Sequence, residues 1–403
     1  MAGLDSLHLV RRPLYCGGPA VTLTDWLGAG RALADPARSW PQLQDRSVIG
    51  TFRGRSAVAL ACRLLGIGPG HEVLVPAYNC GTELDAVRHS GARTVGYRVS
   101  RQCEIDLADL IARRSSRTRA VYLIHYFGWE QPMAELRRWC DDQGLPLIED
   151  CALALFSGGA SGRIGRTGDA VIFSLPKTLG FFHGGLLSLP ASRAVETPRL
   201  TPPGIPTLLM EIRHSARALT LRGLESFGLY GALLSARLRL QRNHPTQGSD
   251  GAFPQLPEDY YFNPALDADR GLHPQAWTVA GSVSCAETVR RRRANYLRLA
   301  GALDGIQGVK PLFHQLPGGV CPLSLPLLVS NRDAYVEVLQ AKGIPALPWW
   351  AGFHPDGIDW SQFPEACWLK HHLLTLPVHQ DLDDRHLDYL AETAVQVFQS
   401  TTP

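Results

Sequence analysis

Four short apolar runs, EVLVP (72–76), TVGYRV (94–99), AVYLI (120–124) and LPLIED (145–150), alternate with helical stretches along the first part of this chain. The helical stretches are AVALACRLL (57–65), Thr82 to His89, Ile105 to Arg113 and MAELRRWCDD (133–142), punctuated by Gly66, Gly91 and Gly144. Apolar runs of strand length, each followed by a helix, cannot be joined as hairpins. They predict an α/β domain around a mostly parallel sheet.

The ordered repeat opens at Thr51, and residues 1–50 read as a loosely patterned N-terminal arm with a short helix near Leu23 to Leu33. A large domain is expected over 51–262, interrupted at about 200–245 by a helical insertion that follows Pro202, Pro203 and Pro206. That insertion is amphipathic and basic, with Arg213, Arg217, Arg222, Arg237, Arg239 and Arg242. It suits packing on the body or on a second subunit, and a membrane-surface helix is its alternative. Residues 263–403 read as a smaller C-terminal α+β domain, opened by one long helix from about Pro274 to Leu303. Its run Arg290 to Arg293 reads as a solvated helix face, since neighbouring side chains point in different directions.

The net charge of +3 over 403 residues gives no reason to expect a nucleic-acid partner. Nine scattered cysteines form no CxxC pair or metal-ligand spacing, so they read as reduced thiols and no metal is expected. No apolar run reaches membrane-spanning length, and the N-terminus lacks a signal-peptide core. The expectation is a soluble, cytoplasmic protein. Lysine is scarce: only Lys177, Lys310, Lys342 and Lys370 occur, against 36 arginines.

One of those lysines stands in the most unusual stretch, LIEDCALALFSGGASGRIGRTGDAVIFSLPKTLGFFHGGLLS (147–188). An apolar run ends there in Glu149 and Asp150, and Gly158, Gly159, Gly162, Gly165 and Gly168 follow. A second run, Val171 to Phe173, leads to Ser174 and Lys177, and Gly184-Gly185 opens a third. An acid at one strand end, a lysine past another and glycines between them form the parts of a cradle for pyridoxal 5'-phosphate. That cofactor bonds to a lysine amine and needs an anion at its ring nitrogen. Asp150 is the candidate anion, in a position that also suits a surface or helix-capping residue. Lys177 is a solvated loop lysine or a nucleophile, and its apolar and glycine neighbours favour the second. Gly54, before a helix, offers N–H groups to a phosphate, with Ser56 and Ser174 as further contacts. Tyr78 is placed to stack on the ring or to sit in the core.

The chain resembles the sugar aminotransferases of the DegT–StrS type, which have the type I fold of pyridoxal-phosphate-dependent transferases. The resemblance rests on GIGPGHEVLVPAYNC (66–80), YLIHYFGW (122–129), LIEDCA (147–152), GRTGDAVIFSLPKTLGFFHGG (165–185) and LLTLPVHQDL (373–382). It implies that Lys177 carries the cofactor, Asp150 meets the ring nitrogen, and Gly54, Arg55 and Ser174 hold the phosphate. It also implies a homodimer. Leu153 stands where relatives usually carry Gln or His, and His183 replaces the acid before the double glycine. The segment Gly-x-Asn-x-Arg is reduced to Asn263, and the spacing from Ser174 to Lys177 is short. His183 and Asn263 are therefore the candidate substrate contacts.

On this reading the chain moves an amino group from an amino acid, glutamate being the family's common donor, to a keto group on a nucleotide-linked sugar. The setting would be polysaccharide or secondary-metabolite biosynthesis. Two alternatives stay open. One is an enzyme of the same fold with other chemistry, such as dehydration or an amino-acid substrate. The other is a non-catalytic regulatory relative.

Overall fold

The computed structural model describes residues 13–22, 25–26, 34–158, 162–192, 199–243, 261–356 and 358–400. Most of the helix expected over 23–33, and Gly159 of the glycine-rich loop, lie outside them. Eleven strands form two sheets among these residues. The larger contains β1 (Arg46–Thr51), β2 (Glu72–Pro76), β3 (Arg93–Tyr97), β4 (Thr118–Ile124), β5 (Leu147–Asp150), β6 (Ala170–Ser174) and β7 (Gly185–Pro190). Its order is β1-β7-β6-β5-β4-β2-β3. The five strands from β3 to β6 run parallel, and β7 turns antiparallel to β6 and to β1. The architecture is the α/β fold with a mostly parallel sheet that the alternation predicts.

Helices α1 (Gly54–Leu64), α2 (Thr82–His89), α3 (Leu107–Ala112) and α4 (Met133–Gln143) connect the first strands. Crossover helices cover a parallel sheet on both faces, so β2, β5 and β6 are buried at every position. The short α5 (Leu175–Leu179) follows β6, with Pro176 in its first turn and Gly180 in the left-handed conformation at its end. β1 begins at Arg46, so the sheet reaches into the stretch read as an arm.

The basic insertion is two helices, α6 (Ile205–Ser226) and α7 (Tyr230–Asn243), broken at Gly228 with φ +72°. Glu211 of α6 is buried and accepts hydrogen bonds from the backbone N–H groups of Phe182 (2.8 Å) and His183 (3.0 Å). The insertion is thus tied to the loop that leads into β7.

The single long helix expected over 274–303 is two, α8 (Pro274–Ser282) and α9 (Cys285–Ala302). Ser284 caps α9 by accepting from the Glu287 N–H, a start signal strong enough to interrupt the apparent periodicity. The arginine run is also not a uniformly solvated face. Arg292 is 1% exposed and donates to the carbonyls of Thr178 (2.8 Å), Pro322 and Leu323. Arg293 donates to Pro317 and Val320.

The second sheet, β10-β11-β9-β8, is antiparallel throughout. Its strands are β8 (Val309–Pro311), β9 (Ser324–Val329), β10 (Leu347–Pro348) and β11 (Leu373–Pro377). Helices α10 (Arg332–Ala341), α11 (Pro364–His372) and α12 (Asp384–Ser400) accompany it. No described helix is long and apolar enough to cross a membrane.

Candidate active site

The site is set by strand register. Ile124 of β4 pairs with Asp150 of β5, and Asp150 pairs with Ile172 of β6, which puts the three in one row near the carboxyl ends of parallel strands. All three line a cavity of about 210 Å³, as does Tyr122, two residues before Ile124 and on the same face. Open α/β sheets bind ligands at this edge.

Period-two alternation then separates the two acids of β5. Glu149 turns to the opposite face, fully buried, and organises the glycine-rich loop. It accepts from the N–H groups of Gly165 (2.6 Å), Thr167 (3.1 Å) and Gly168 (2.7 Å) and lies 3.1 Å from His125 Nε2. Burial opposes its charge, but the His125 contact and the loop amides together hold its pKa below the usual carboxylate value.

Asp150 faces the cavity. It accepts from Tyr122 Oη at 2.6 Å and from the Ala152 N–H at 2.7 Å. Burial pushes its pKa up, against the opposing pull of the Lys177 charge and the Tyr122 hydrogen bond. A carboxylate left short of compensation in this way suits a buried cation as its partner.

Opposite Asp150 stand the start of α1 and the start of α5. Arg53, Gly54 and Arg55 line the cavity with Ser174 and Lys177. First-turn N–H groups of a helix lack intrahelical acceptors. A Cβ added at Gly54 would lie 3.8 Å from the Ser174 Cβ, so it would fill the gap between helix and hydroxyl. The Ser174 hydroxyl has no hydrogen-bond partner among the described residues, and neither does the Lys177 Nζ, which lies 5.8 Å from the Trp350 ring centroid. The double glycine belongs to this end too. A Cβ at Gly185 would come within 2.3 Å of the Arg53 carbonyl oxygen, so β7 passes under the helix start only as glycine. Arg55 carries its guanidinium outward to the buried Asp267 (3.4 Å) and the Tyr261 carbonyl (2.9 Å).

Four of the sequence candidates lie elsewhere. Ser56 sits inside the first turn of α1 and accepts from the Arg53 N–H, a capping role away from the cavity. Tyr78 is fully buried, with its ring against Tyr126 and Trp350 and its hydroxyl on the Trp349 carbonyl. The strand end turns after it, and Cys80 reaches the cavity instead. His183 is buried beside Phe52 and the Glu211 carboxylate, which holds it away. Asn263 is exposed and caps the single turn Pro264–Asp267.

Cys80, which the sequence did not single out, and Leu153, which it did, complete the walls. The Cys80 thiol donates to Glu83 Oε2 at 2.7 Å, and burial with that carboxylate pushes its pKa up to about 12. Leu153 contributes an apolar surface near Asp150. Beyond Cys80, Thr82 and Lys177 the space continues into an outer compartment of about 470 Å³, walled by Leu347, Pro348, Trp349 and Trp350. The inner chamber can therefore hold an aromatic phosphate, with amides and a hydroxyl at one end, an acid at the other and an amine between. The outer one has room for a second molecule.

Comparison with known proteins finds relatives of one kind. Residues 41–201 match the profile of the DegT/DnrJ/EryC1/StrS aminotransferase family. A GDP-perosamine synthase of Vibrio cholerae is 31% identical over 137 residues, covering 33% of this chain and 37% of its own length. A 3-aminotransferase of Acidithiobacillus ferrooxidans is matched over 41% of its length, so the alignments span about two fifths of these first relatives. The dTDP-3-amino-3,4,6-trideoxy-alpha-D-glucose transaminase of Streptomyces venezuelae aligns further, at 27% identity over 87% of this chain and 84% of that protein. Among solved structures, the aminotransferase TlmJ of Streptoalloteichus hindustanus superposes with a TM-score of 0.63 over 98% of this chain and 100% of its own, at 20% identity. The PLP form of a putative sugar aminotransferase from Streptococcus pneumoniae gives 0.66 over 98% and 100%, at 18% identity. These structural likenesses share the fold.

Proposed function

We propose, from the premise that this chain is a relative of the DegT/DnrJ/EryC1/StrS aminotransferases, that it transfers an amino group from an amino acid to a keto group on a nucleotide-linked sugar. The cofactor is pyridoxal 5'-phosphate. The carrying observation is that one small cavity brings together Lys177, Asp150, Ser174 and the start of α1.

When bound, the cofactor supplies an electron sink for the charge that develops beside the transferred nitrogen. Lys177 provides the amine for its covalent attachment. Once released, the same Nζ would act as general base toward the donor carbon that bears the nitrogen and then return that proton as general acid. Asp150, oriented by Tyr122 and the Ala152 amide, holds the positive charge at the ring nitrogen. The α1 amides and Ser174 bind the phosphate. The two tryptophans of the outer compartment offer flat faces to the acceptor and exclude water from the amine.

The donor is glutamate by analogy with relatives, and the setting is polysaccharide or secondary-metabolite biosynthesis. We read the chain as an N-terminal arm that ends where β1 begins at Arg46, a large domain to about 262 and a small domain over 263–403, to which the outer wall of Leu347 to Trp350 belongs. The chain acts as a homodimer in the cytoplasm, where nine free cysteines stay reduced. One observation favours another outcome on the same scaffold: Leu153 gives the cavity an apolar surface where relatives carry a polar side chain.

The test is the visible absorbance of the protein with added cofactor, repeated after borohydride reduction with peptide mapping. A coloured protein whose reduced label maps to Lys177, and which loses colour with L-glutamate, is expected. A label on another lysine, or no colour at all, overturns the reading.

A further inference from the structure

A second lysine serves the cavity without touching it. Lys370 of α11 is 1% exposed. Its Nζ donates three hydrogen bonds, to the carbonyls of Asn79 (2.9 Å), Trp350 (2.9 Å) and Gly352 (2.7 Å). The rings of Tyr78, Phe353 and Trp360 surround it at 5.9, 5.1 and 4.9 Å. No carboxylate forms an ion pair with it among the described residues. An ammonium buried without an anion is expensive, and an apolar side chain would fill the same space more cheaply. Its geometry has a particular result. Asn79 adjoins Cys80, which lines both compartments, and Trp350 lines both as well. Trp350 also has φ +51°, a left-handed conformation that costs a bulky residue energy and persists only where its surroundings impose it.

We infer that Lys370 is a positioning residue that pins Trp350, in its strained conformation, against the turn at Asn79–Cys80, and so fixes the width of the outer compartment where substrates enter. The inference rests on the reading of this cavity as a transaminase site. It adds a residue that acts through the two walls and contacts neither cofactor nor substrate.

The clamp depends on charge. An ammonium has three protons for three carbonyls; a neutral amine has two and turns a lone pair toward an oxygen. Burial pulls the Lys370 pKa down to about 8. Glu83 on the floor acts against that pull and Arg332 of α10 adds to it, while the thiols of Cys80 and of Cys367 on its own helix, both raised by burial, stay neutral there. The clamp is therefore closed at neutral pH and opens as pH rises through about 8.

Hydrogen exchange read by mass spectrometry on the cofactor-free full chain tests this, comparing wild type with Lys370→Met. Exchange should rise about tenfold in segments 78–83 and 346–353 and stay unchanged elsewhere. In the loaded protein, the L-glutamate concentration that half-saturates loss of colour should rise about tenfold, with the limiting rate little changed. Combining Lys370→Met with Trp350→Ala should add nothing further to that half-saturation. Unchanged exchange in both segments, or a uniform rise over the whole chain, overturns the inference. Should Lys370→Met not fold, a wild-type series from pH ~7 to ~9, corrected for intrinsic exchange, decides. Extra opening confined to the two segments supports the clamp, and a flat corrected rate sinks it. If the segments loosen as expected but the wild type takes up no cofactor at Lys177, the transaminase reading fails and takes the role in substrate entry with it, while the pinning of Trp350 by Lys370 stands.

Discussion

Glu149 and Asp150 are adjacent on β5, equally acidic and nearly equally buried, yet the two faces of the sheet make them opposites. On one face Glu149 is met by three backbone amides and His125, and its pKa is held down. On the other, Asp150 has one hydroxyl and one amide, and burial pushes its pKa up. A carboxylate whose partners are all supplied by the fold holds the fold together. One that the fold leaves under-compensated is waiting for a charge from outside. Removing groups from either face should therefore separate loss of function from loss of structure.

The largest expected effect is on the cavity face. Lys177→Ala should abolish the coloured, lysine-linked form and lower turnover by on the order of 10²–10⁴-fold or more, with little change in melting temperature. Absorbance and scanning calorimetry on the same sample check both halves of that statement. On the other face, Glu149→Gln should cost about 3 kcal/mol of stability in a urea titration, because the loop amides and His125 lose their anion.

The pH dependence should sharpen the contrast further. Stability from Glu149 is present above its unfolded pKa of about 4.3 and is lost as pH falls through the lower folded value. The deficit of Glu149→Gln should therefore shrink in acid. Asp150 has the opposite sign: its contribution is present below an unfolded pKa of about 3.9 and is lost as pH rises through the raised folded value. Cofactor-free Asp150→Asn should accordingly gain on wild type between acid and neutral pH. Parallel trends in the two variants would break the comparison.

Smaller effects concern the partners. Tyr122→Phe should weaken cofactor binding about tenfold, the worth of one hydrogen bond to a charged group, read by equilibrium dialysis. The two serines form the finest contrast. Ser174→Ala should weaken phosphate-dependent binding by about 1 kcal/mol. Ser56→Ala should leave binding unchanged and cost about 0.5–1 kcal/mol in stability, as the loss of a cap does.

What could be read in advance follows the same division. Asp150, Ser174, Lys177 and the start of α1 were legible because each is fixed within a few residues, by a strand end or a helix start, whereas the register that sets Ile124, Asp150 and Ile172 in one row was not. Tyr78 was misplaced because the turn after β2 delivers Cys80, two residues on, and nothing local marks that choice. His183 and Asn263 were named by likeness, and their positions are taken up by Glu211 and by a cap. Trp350 and Lys370 were not legible at all. Trp350 meets the cavity, and Lys370 reaches Trp350 and Asn79, only because the second sheet and its helices pack across it, and a Trp-Trp pair or a lone lysine in the sequence does not announce a contact made across 291 positions.

The glycine at 185 sets a mechanical tolerance for the whole arrangement. Any side chain there forces its 2.3 Å approach to the Arg53 oxygen to open to at least 3.0 Å, so β7 and the start of α1 must move apart. Displacements of about 1 Å at a reacting centre can cost on the order of 10²-fold in rate. A single methyl group, set on a strand whose residues take no part in the chemistry, would thus detune the site from below.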